Sequence, residues 1–168
     1  MSPFLGEIIG TAILLLLGNG VVANVVLTGT KGNGAGWIVI AWGWGMAVFV
    51  AVFTVAAFSG AHLNPAVSVG LAVAGKFEWA KVPAYLLAQF VGAMLGAAAV
   101  WLLYRPHFAQ TDDRDLKLAC FCTAPAVRDV PSNLFSEVLG TFVLVFAVLF
   151  LAVSVFGQIG RASCRERV

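Results

Sequence analysis

The chain has 168 residues, of which 61% are hydrophobic and only 11% are charged. A soluble domain of this size carries about 25% charged residues, so the composition predicts an integral membrane protein whose helices face lipid. The formal net charge of +2 is too small to favour nucleic acid as a partner. The three cysteines, Cys120, Cys122 and Cys164, lack the spacing of a zinc site, and we expect no metal and no other cofactor.

Four apolar runs are each about twenty residues or longer, which is enough for a helix to cross a bilayer. They lie at residues 3–27, 37–58, 82–104 and 134–156. We interpret the first run as a retained span rather than a signal peptide, because no basic segment precedes it and Glu7 lies within it. The long polar connection between the third and fourth runs predicts a surface loop.

A shorter apolar stretch, SGAHLNPAVSVGLAVAG, occupies residues 59–75. Asn64 is a favoured N-cap and Pro65 suits the first turn of a helix, so together they predict a half-helix that begins within the membrane. Residues 60–63 are expected to be extended, with carbonyls that line a watery cavity. Free carbonyls beside the positive end of a helix suit a neutral solute with hydroxyl groups and repel cations.

One short sequence pattern occurs twice. Glu7 opens the first span as Glu-Ile-Ile-Gly-Thr, and Glu137 opens the fourth span as Glu-Val-Leu-Gly-Thr. A carboxylate inside a membrane span is rare and costly, so two at matching positions favour an internal repeat over chance. Because three spans separate the two copies, the second copy enters from the opposite face, which predicts an inverted repeat.

The segment SGAHLNPAV resembles the first Asn-Pro-Ala signature of the aquaporin and glycerol-facilitator family, the major intrinsic proteins, and the two Glu-x-x-Gly-Thr openings match that family as well. The resemblance covers residues 1–156. It implies an all-α, aquaporin-like inverted-repeat bundle in the cell membrane, with six spans and two half-helices in each subunit of a homotetramer. It also implies passive conduction of glycerol, water or similar small neutral solutes through each subunit.

The resemblance carries roles over to particular residues. The pore-lining residues that it implies are Gly60, Ala61, His62, Leu63, Asn64, Pro65 and Ala66. Trp42 resembles the aromatic residue of the selectivity filter in glycerol facilitators, although it is also a candidate for an interface-belt tryptophan. Glu7 and Glu137 are expected to brace the half-helix loops, and Gln89 is expected to bond between helices. His62 is alternatively a structural histidine.

The chain departs from the family pattern because it has no second Asn-Pro-Ala motif and no filter arginine after such a motif. We therefore expect four spans and one half-helix of an incomplete channel domain over residues 1–156. Its parts would be a first repeat at 1–104, a linking loop at 105–133 and the first helix of the second repeat at 134–156. Residues 157–168 resemble the translation of a sequencing adapter, and we expect this tail to be foreign to the fold.

Two other functions stay open on the sequence. An ion-coupled secondary transporter also uses inverted repeats and broken helices, but it normally needs a charged constellation within the membrane. A non-conducting membrane fragment is the second alternative. An enzyme is not predicted, since no paired acid and base or activated nucleophile is present. The choice among glycerol, water, urea and lactate is not decided by these residues.

Overall fold

The structure, a computed structural model, describes the backbone of residues 1–165 and the side chains of residues 1–150. Within this part the chain is helical and contains no strand, as the composition predicted. The helices are α1 (Pro3–Val26), α2 (Trp37–Ser59), α3 (Pro65–Val73), α4 (Val82–Leu103), α5 (Arg105–Gln110), α6 (Arg114–Ala119) and α7 (Val130–Arg165), with a 3-10 turn at Trp79–Lys81.

Four segments of the described chain are long and apolar enough to cross a membrane, which confirms the predicted number of spans. They are Pro3–Val26, Trp37–Ser59, Trp79–Leu103 and Val130–Phe150. The last helix begins four residues before the predicted start. Pro131 fits in its first turn, because backbone N–H groups there have no partner within the helix and proline has none to lose. The carbonyl oxygen of Asp129 accepts a hydrogen bond from the backbone N–H of Asn133 at 2.8 Å.

The backbone of α7 extends to Arg165, so the expected boundary after residue 156 falls within this helix. The side chains of residues 151–168 lie outside the described part of the chain. The division of the chain at this point, and the foreign origin of the tail, therefore stay predictions.

Helix α1 packs against both α2 and α4, and glycines permit the close approach. A Cβ built on Gly96 would lie 2.6 Å from the carbonyl oxygen of Ala12, and one on Gly92 would collide with the carbonyl oxygen of Ile8. On the other face of α1, a Cβ on Gly10 would lie 2.6 Å from Val55. Gly10, Gly92 and Gly96 therefore lie at helix contacts, where small residues let backbones meet.

The predicted surface loop between the third and fourth spans contains two short helices, α5 and α6. Phe108 and Cys120 of this segment are buried against Leu27 at the end of α1 and Val100 in α4. Burial raises the pKa of the Cys120 thiol to about 11. The sequence analysis did not predict this small apolar cluster, because the loop is mostly polar in composition.

Candidate functional site

The half-helix α3 starts where the sequence predicts. Asn64 is the N-cap, and its Oδ1 accepts a hydrogen bond from the backbone N–H of Ala66 at 2.8 Å. Pro65 occupies the first turn, and Gly75 follows the helix with a φ of +69°. The nine residues of α3 are too few to cross a bilayer, and the helix packs against α4 and α7.

The segment before α3 differs from the extended conformation that we expected. Gly60 caps α2 with a φ of +82°, and Ala61 and Leu63 each have a φ of +51°. A left-handed conformation costs roughly 1–2 kcal/mol for a residue with a Cβ. The expectation of an extended segment was wrong, because it ignored side chains from other helices that hold this backbone in place.

Glu7 is the main support of this strained backbone. Its side chain is fully buried, with 0% exposure. Its Oε1 accepts a hydrogen bond from the N–H of His62 at 3.0 Å, and its Oε2 accepts one from the N–H of Leu63 at 2.8 Å. These two bonds join the loop before α3 to α1.

Gln89 links this support to the half-helix. Its side chain, 2% exposed, lies in α4 and donates from Nε2 to Glu7 Oε2 at 2.8 Å and to Ser68 Oγ at 3.0 Å. Ser68 belongs to α3, so this group of side chains ties together α1, α3 and α4. Gln89 thus bonds α4 to both α1 and α3.

A second anchor, which the sequence analysis missed, lies at the end of α2. The hydroxyl of Tyr85 donates to the carbonyl oxygen of Ser59 at 2.8 Å, and Ser59 Oγ accepts from the N–H of Ala61 at 3.0 Å. The sequence feature that could have indicated this anchor is the presence of two polar side chains, Ser59 and Tyr85, within apolar spans.

The ring of His62 lies within an aromatic cluster. Its centroid is 4.6 Å from that of Phe77 and 4.8 Å from that of Tyr85. Its Nδ1 lies 3.0 Å from Ser68 Oγ, whereas its Nε2 forms no hydrogen bond with any described residue. His62 therefore has structural contacts on one side and a free ring nitrogen on the other.

Free polar groups of the backbone lie along the same stretch. Among the described residues, none donates a hydrogen bond to the carbonyl oxygens of Gly60, Ala61 and His62. The Oδ1 of Asn64 is engaged at the helix cap, and its Nδ2 has no partner in the described part of the chain. The segment therefore offers uncharged acceptors followed by uncharged donors, while the carboxylate of Glu7 is fully buried beneath it.

The remaining predicted pore residues differ in exposure. Pro65 is exposed and Ala66 is partly buried, whereas the side chain of Leu63 is buried against Ala51 and Val55. The backbone of Leu63, rather than its side chain, takes part in the hydrogen-bonded cluster around Glu7.

Two predicted residues lie outside that cluster in the described structure. Trp42 is 69% exposed on α2, in a shallow hollow that is also lined by Ile38 and Met46. Its neighbour Trp44 packs against Gly18 of α1. Glu137 is exposed on α7 and forms no hydrogen bond with the described residues, so its bracing role stays a prediction.

Comparisons with known proteins fit this geometry. The family model of the major intrinsic protein matches residues 1–158. The chain belongs to the major intrinsic protein family. It is an integral, multi-pass membrane protein with an aquaporin-like helical fold.

Two relatives illustrate the similarity at the level of individual proteins. The chain is 55% identical over 149 residues to the "Probable glycerol uptake facilitator protein" of Thermotoga maritima, covering 89% of this chain and 64% of that protein. It is 56% identical over 151 residues to the "Glycerol uptake facilitator protein" of Streptococcus pneumoniae, covering 90% of this chain and 64% of the relative. The chain thus spans less than two thirds of the length of these relatives.

A solved structure is also similar. The aquaglyceroporin from Plasmodium falciparum superposes with a TM-score of 0.59 at 43% sequence identity, over 64% of this chain and 43% of that chain. The match supports the aquaporin-like arrangement of the helices described above.

Proposed function

We propose that the full-length protein is a passive membrane channel that conducts glycerol and water, with a pore that runs along residues 60–64. The observation that carries the proposal is the strained backbone before α3, in which the carbonyls of Gly60, Ala61 and His62 have no hydrogen-bond partner among the described residues. Unpaired carbonyls at membrane depth are tolerated where they line a watery path. Two relatives are named as glycerol uptake facilitators, which supports the same solute.

The chemistry of this wall suits a polyol. The three carbonyls accept hydrogen bonds from the solute, and the Nδ2 group of Asn64 donates to it. Pro65 and Ala66 begin the helix whose positive end lies at this point, and that end disfavours cations. The proposed wall exposes no charge, because the carboxylate of Glu7 is buried and accepts three hydrogen bonds.

Several further parts of the proposal concern the complete assembly. Trp42 would form one wall of the selectivity filter, and Glu137 would brace the second half-helix loop as Glu7 braces the first. We propose a first repeat at 1–104, a linking loop at 105–133 and the first helix of the second repeat at 134–156. Residues 157–168 would be foreign to this channel domain. The protein would form a homotetramer in lipid and would not be an enzyme.

The hydrogen bonding of Glu7 favours a passive channel over an ion-coupled transporter. Both of its oxygens are engaged by backbone amides and by Gln89, so the side chain is not free to bind and release a coupling ion. A transporter of this kind would need a different charged site within the membrane.

The test is stopped-flow light scattering on proteoliposomes that contain the full-length protein. We expect rapid water and glycerol equilibration that an uncoupler leaves unchanged. Glycerol entry no faster than in empty liposomes would contradict the channel proposal. Entry that an uncoupler abolishes would favour the transporter instead.

A further inference from the structure

The hydroxyl of Ser68 lies at the centre of a buried polar group. Its side chain is fully buried, and Oγ lies 3.0 Å from Gln89 Nε2, 3.0 Å from His62 Nδ1 and 3.4 Å from the carbonyl oxygen of Asn64. A hydroxyl has one hydrogen to donate, so its direction determines which ring nitrogen of His62 carries the proton.

The direction of this hydrogen follows from Glu7. The N–H groups of His62 and Leu63 are obligatory donors, and each donates to one oxygen of Glu7. Gln89 presents Nε2 to Glu7, and this nitrogen donates to Oε2 at 2.8 Å. The same Nε2 has a second hydrogen, which is directed to Ser68 Oγ at 3.0 Å. Ser68 accepts this bond and keeps its own hydrogen for another partner.

Two acceptors compete for the hydrogen of Ser68. The carbonyl oxygen of Asn64 is 3.4 Å away and already accepts the backbone N–H of Ser68 at 3.1 Å. Nδ1 of His62 is 3.0 Å away and has no other partner among the described residues. Distance and availability both favour Nδ1, because a hydrogen bond weakens as it lengthens.

We propose that Ser68 is a positioning residue that holds neutral His62 in its Nε2–H tautomer, so that the ring presents a hydrogen-bond donor to solutes with hydroxyl groups. The proposal rests on the proposed channel function. A Cβ built on Gly60 would lie 3.8 Å from Nε2, so this nitrogen lies beside the segment with free carbonyls. A hydroxyl of a polyol both donates and accepts, and it therefore gains from a donor placed next to those acceptors.

The tautomer can be measured directly by 15N NMR of histidine-labelled, full-length protein in lipid bilayers. Residues 1–168 contain two histidines, and a His107→Gln background removes the other one within them. We expect a protonated Nε2 and an unprotonated Nδ1 for His62. Ser68→Ala should raise the Nδ1–H fraction about fivefold, the effect of losing one ordinary hydrogen bond. Ser68→Thr keeps a hydroxyl and should restore the original spectrum.

An Nδ1–H ring in the unaltered protein would overturn the proposal, as would a spectrum that Ser68→Ala leaves unchanged. The ratio of glycerol to water permeability provides the second measurement. We expect it to fall in Ser68→Ala and to recover in Ser68→Thr. Thr54→Ala, which removes an exposed hydroxyl from α2, is the matched control and should leave the ratio unchanged.

The two proposals fail in different ways. An Nε2–H ring in a protein that conducts no glycerol would refute the channel function but not the tautomer. Glycerol conduction with an Nδ1–H ring would refute the role of Ser68 and leave the channel function standing. A permeability ratio that falls equally in Ser68→Ala and Thr54→Ala would contradict the specific effect of Ser68 on the solute.

Discussion

The carboxylate of Glu7 accepts a hydrogen bond from the backbone N–H of His62 at 3.0 Å, although the two residues lie 55 positions apart in the chain. This bond joins the first span to the loop that carries the free carbonyls. It stabilises a loop in which Ala61 and Leu63 both adopt the left-handed conformation, which is unfavourable for residues with a side chain.

We predict that Glu7→Leu destabilises the protein more than Glu7→Gln. Leucine leaves three buried donors without a partner, at about 1–3 kcal/mol each, whereas the carbonyl oxygen of glutamine keeps at least one of them bonded. Thermal unfolding in detergent measures the difference. Glu78→Gln, which breaks an exposed ion pair with Lys81, is the control and should have little effect. A leucine variant as stable as the control would mean that Glu7 supports nothing.

Asn64 should respond differently to two substitutions. Asn64→Ala removes the cap of α3, at about 1 kcal/mol, and also a donor to the solute, so both stability and glycerol flux should fall. Asn64→Asp keeps an oxygen for the cap but adds a negative charge at the positive end of the helix, so it should admit cations. Ionic current across planar bilayers, together with thermal stability, separates the two. Equal currents in both variants would count against a pore at Asn64.

Gly96 should tolerate no side chain. A Cβ there would lie 2.6 Å from the carbonyl oxygen of Ala12, so Gly96→Ala must separate α1 from α4 and should cost about 1–3 kcal/mol. Gly20→Ala is the matched control, since a Cβ at Gly20 meets nothing within 4 Å. The control should be neutral or stabilising by up to about 1 kcal/mol, the difference in helix propensity. Similar unfolding temperatures for the two variants would contradict the close packing.

The two loop cysteines should differ in reactivity. Burial raises the pKa of Cys120 to about 11, so its reactive thiolate is scarce at pH 8 and grows as the pH approaches 11, whereas Cys122 is exposed. In a Cys164→Ser background, maleimide at pH 8 should label Cys122 first. Mass spectrometry of the labelled peptide from residues 115–128 gives the order. Preferential labelling of Cys120 would show that the α5–α6 segment does not cover it.

The spans and the half-helix could be predicted from sequence because they depend on local properties. Runs of about twenty apolar residues and the pair Asn64-Pro65 each specify a helix without reference to distant residues. Hydrogen bonds from the half-helix loop to Glu7 could be expected because a buried carboxylate needs donors and because the family resemblance implied them.

Other features depend on contacts between segments that lie far apart in the chain. The left-handed backbone at Ala61 and Leu63 lies in a loop whose His62 and Leu63 amides bond to Glu7, 55 and 56 residues away in the chain. The residue types alanine and leucine do not indicate this conformation. Ser68 and Tyr85 looked like ordinary polar substitutions within apolar helices. Their roles emerge only when α3 and α4 are placed beside α2.

The most direct test of the central claim is whether solute touches the free carbonyls. Ala61-His62 is the only Ala-His pair in these 168 residues, so 13C-alanine and 15N-histidine labelling selects the Ala61 carbonyl within them. In full-length protein in bilayers, we predict that glycerol shifts this 13C signal in a saturable manner, as hydroxyl groups bond to the carbonyl. A signal that stays fixed while the same preparation conducts glycerol would contradict a pore along residues 60–64.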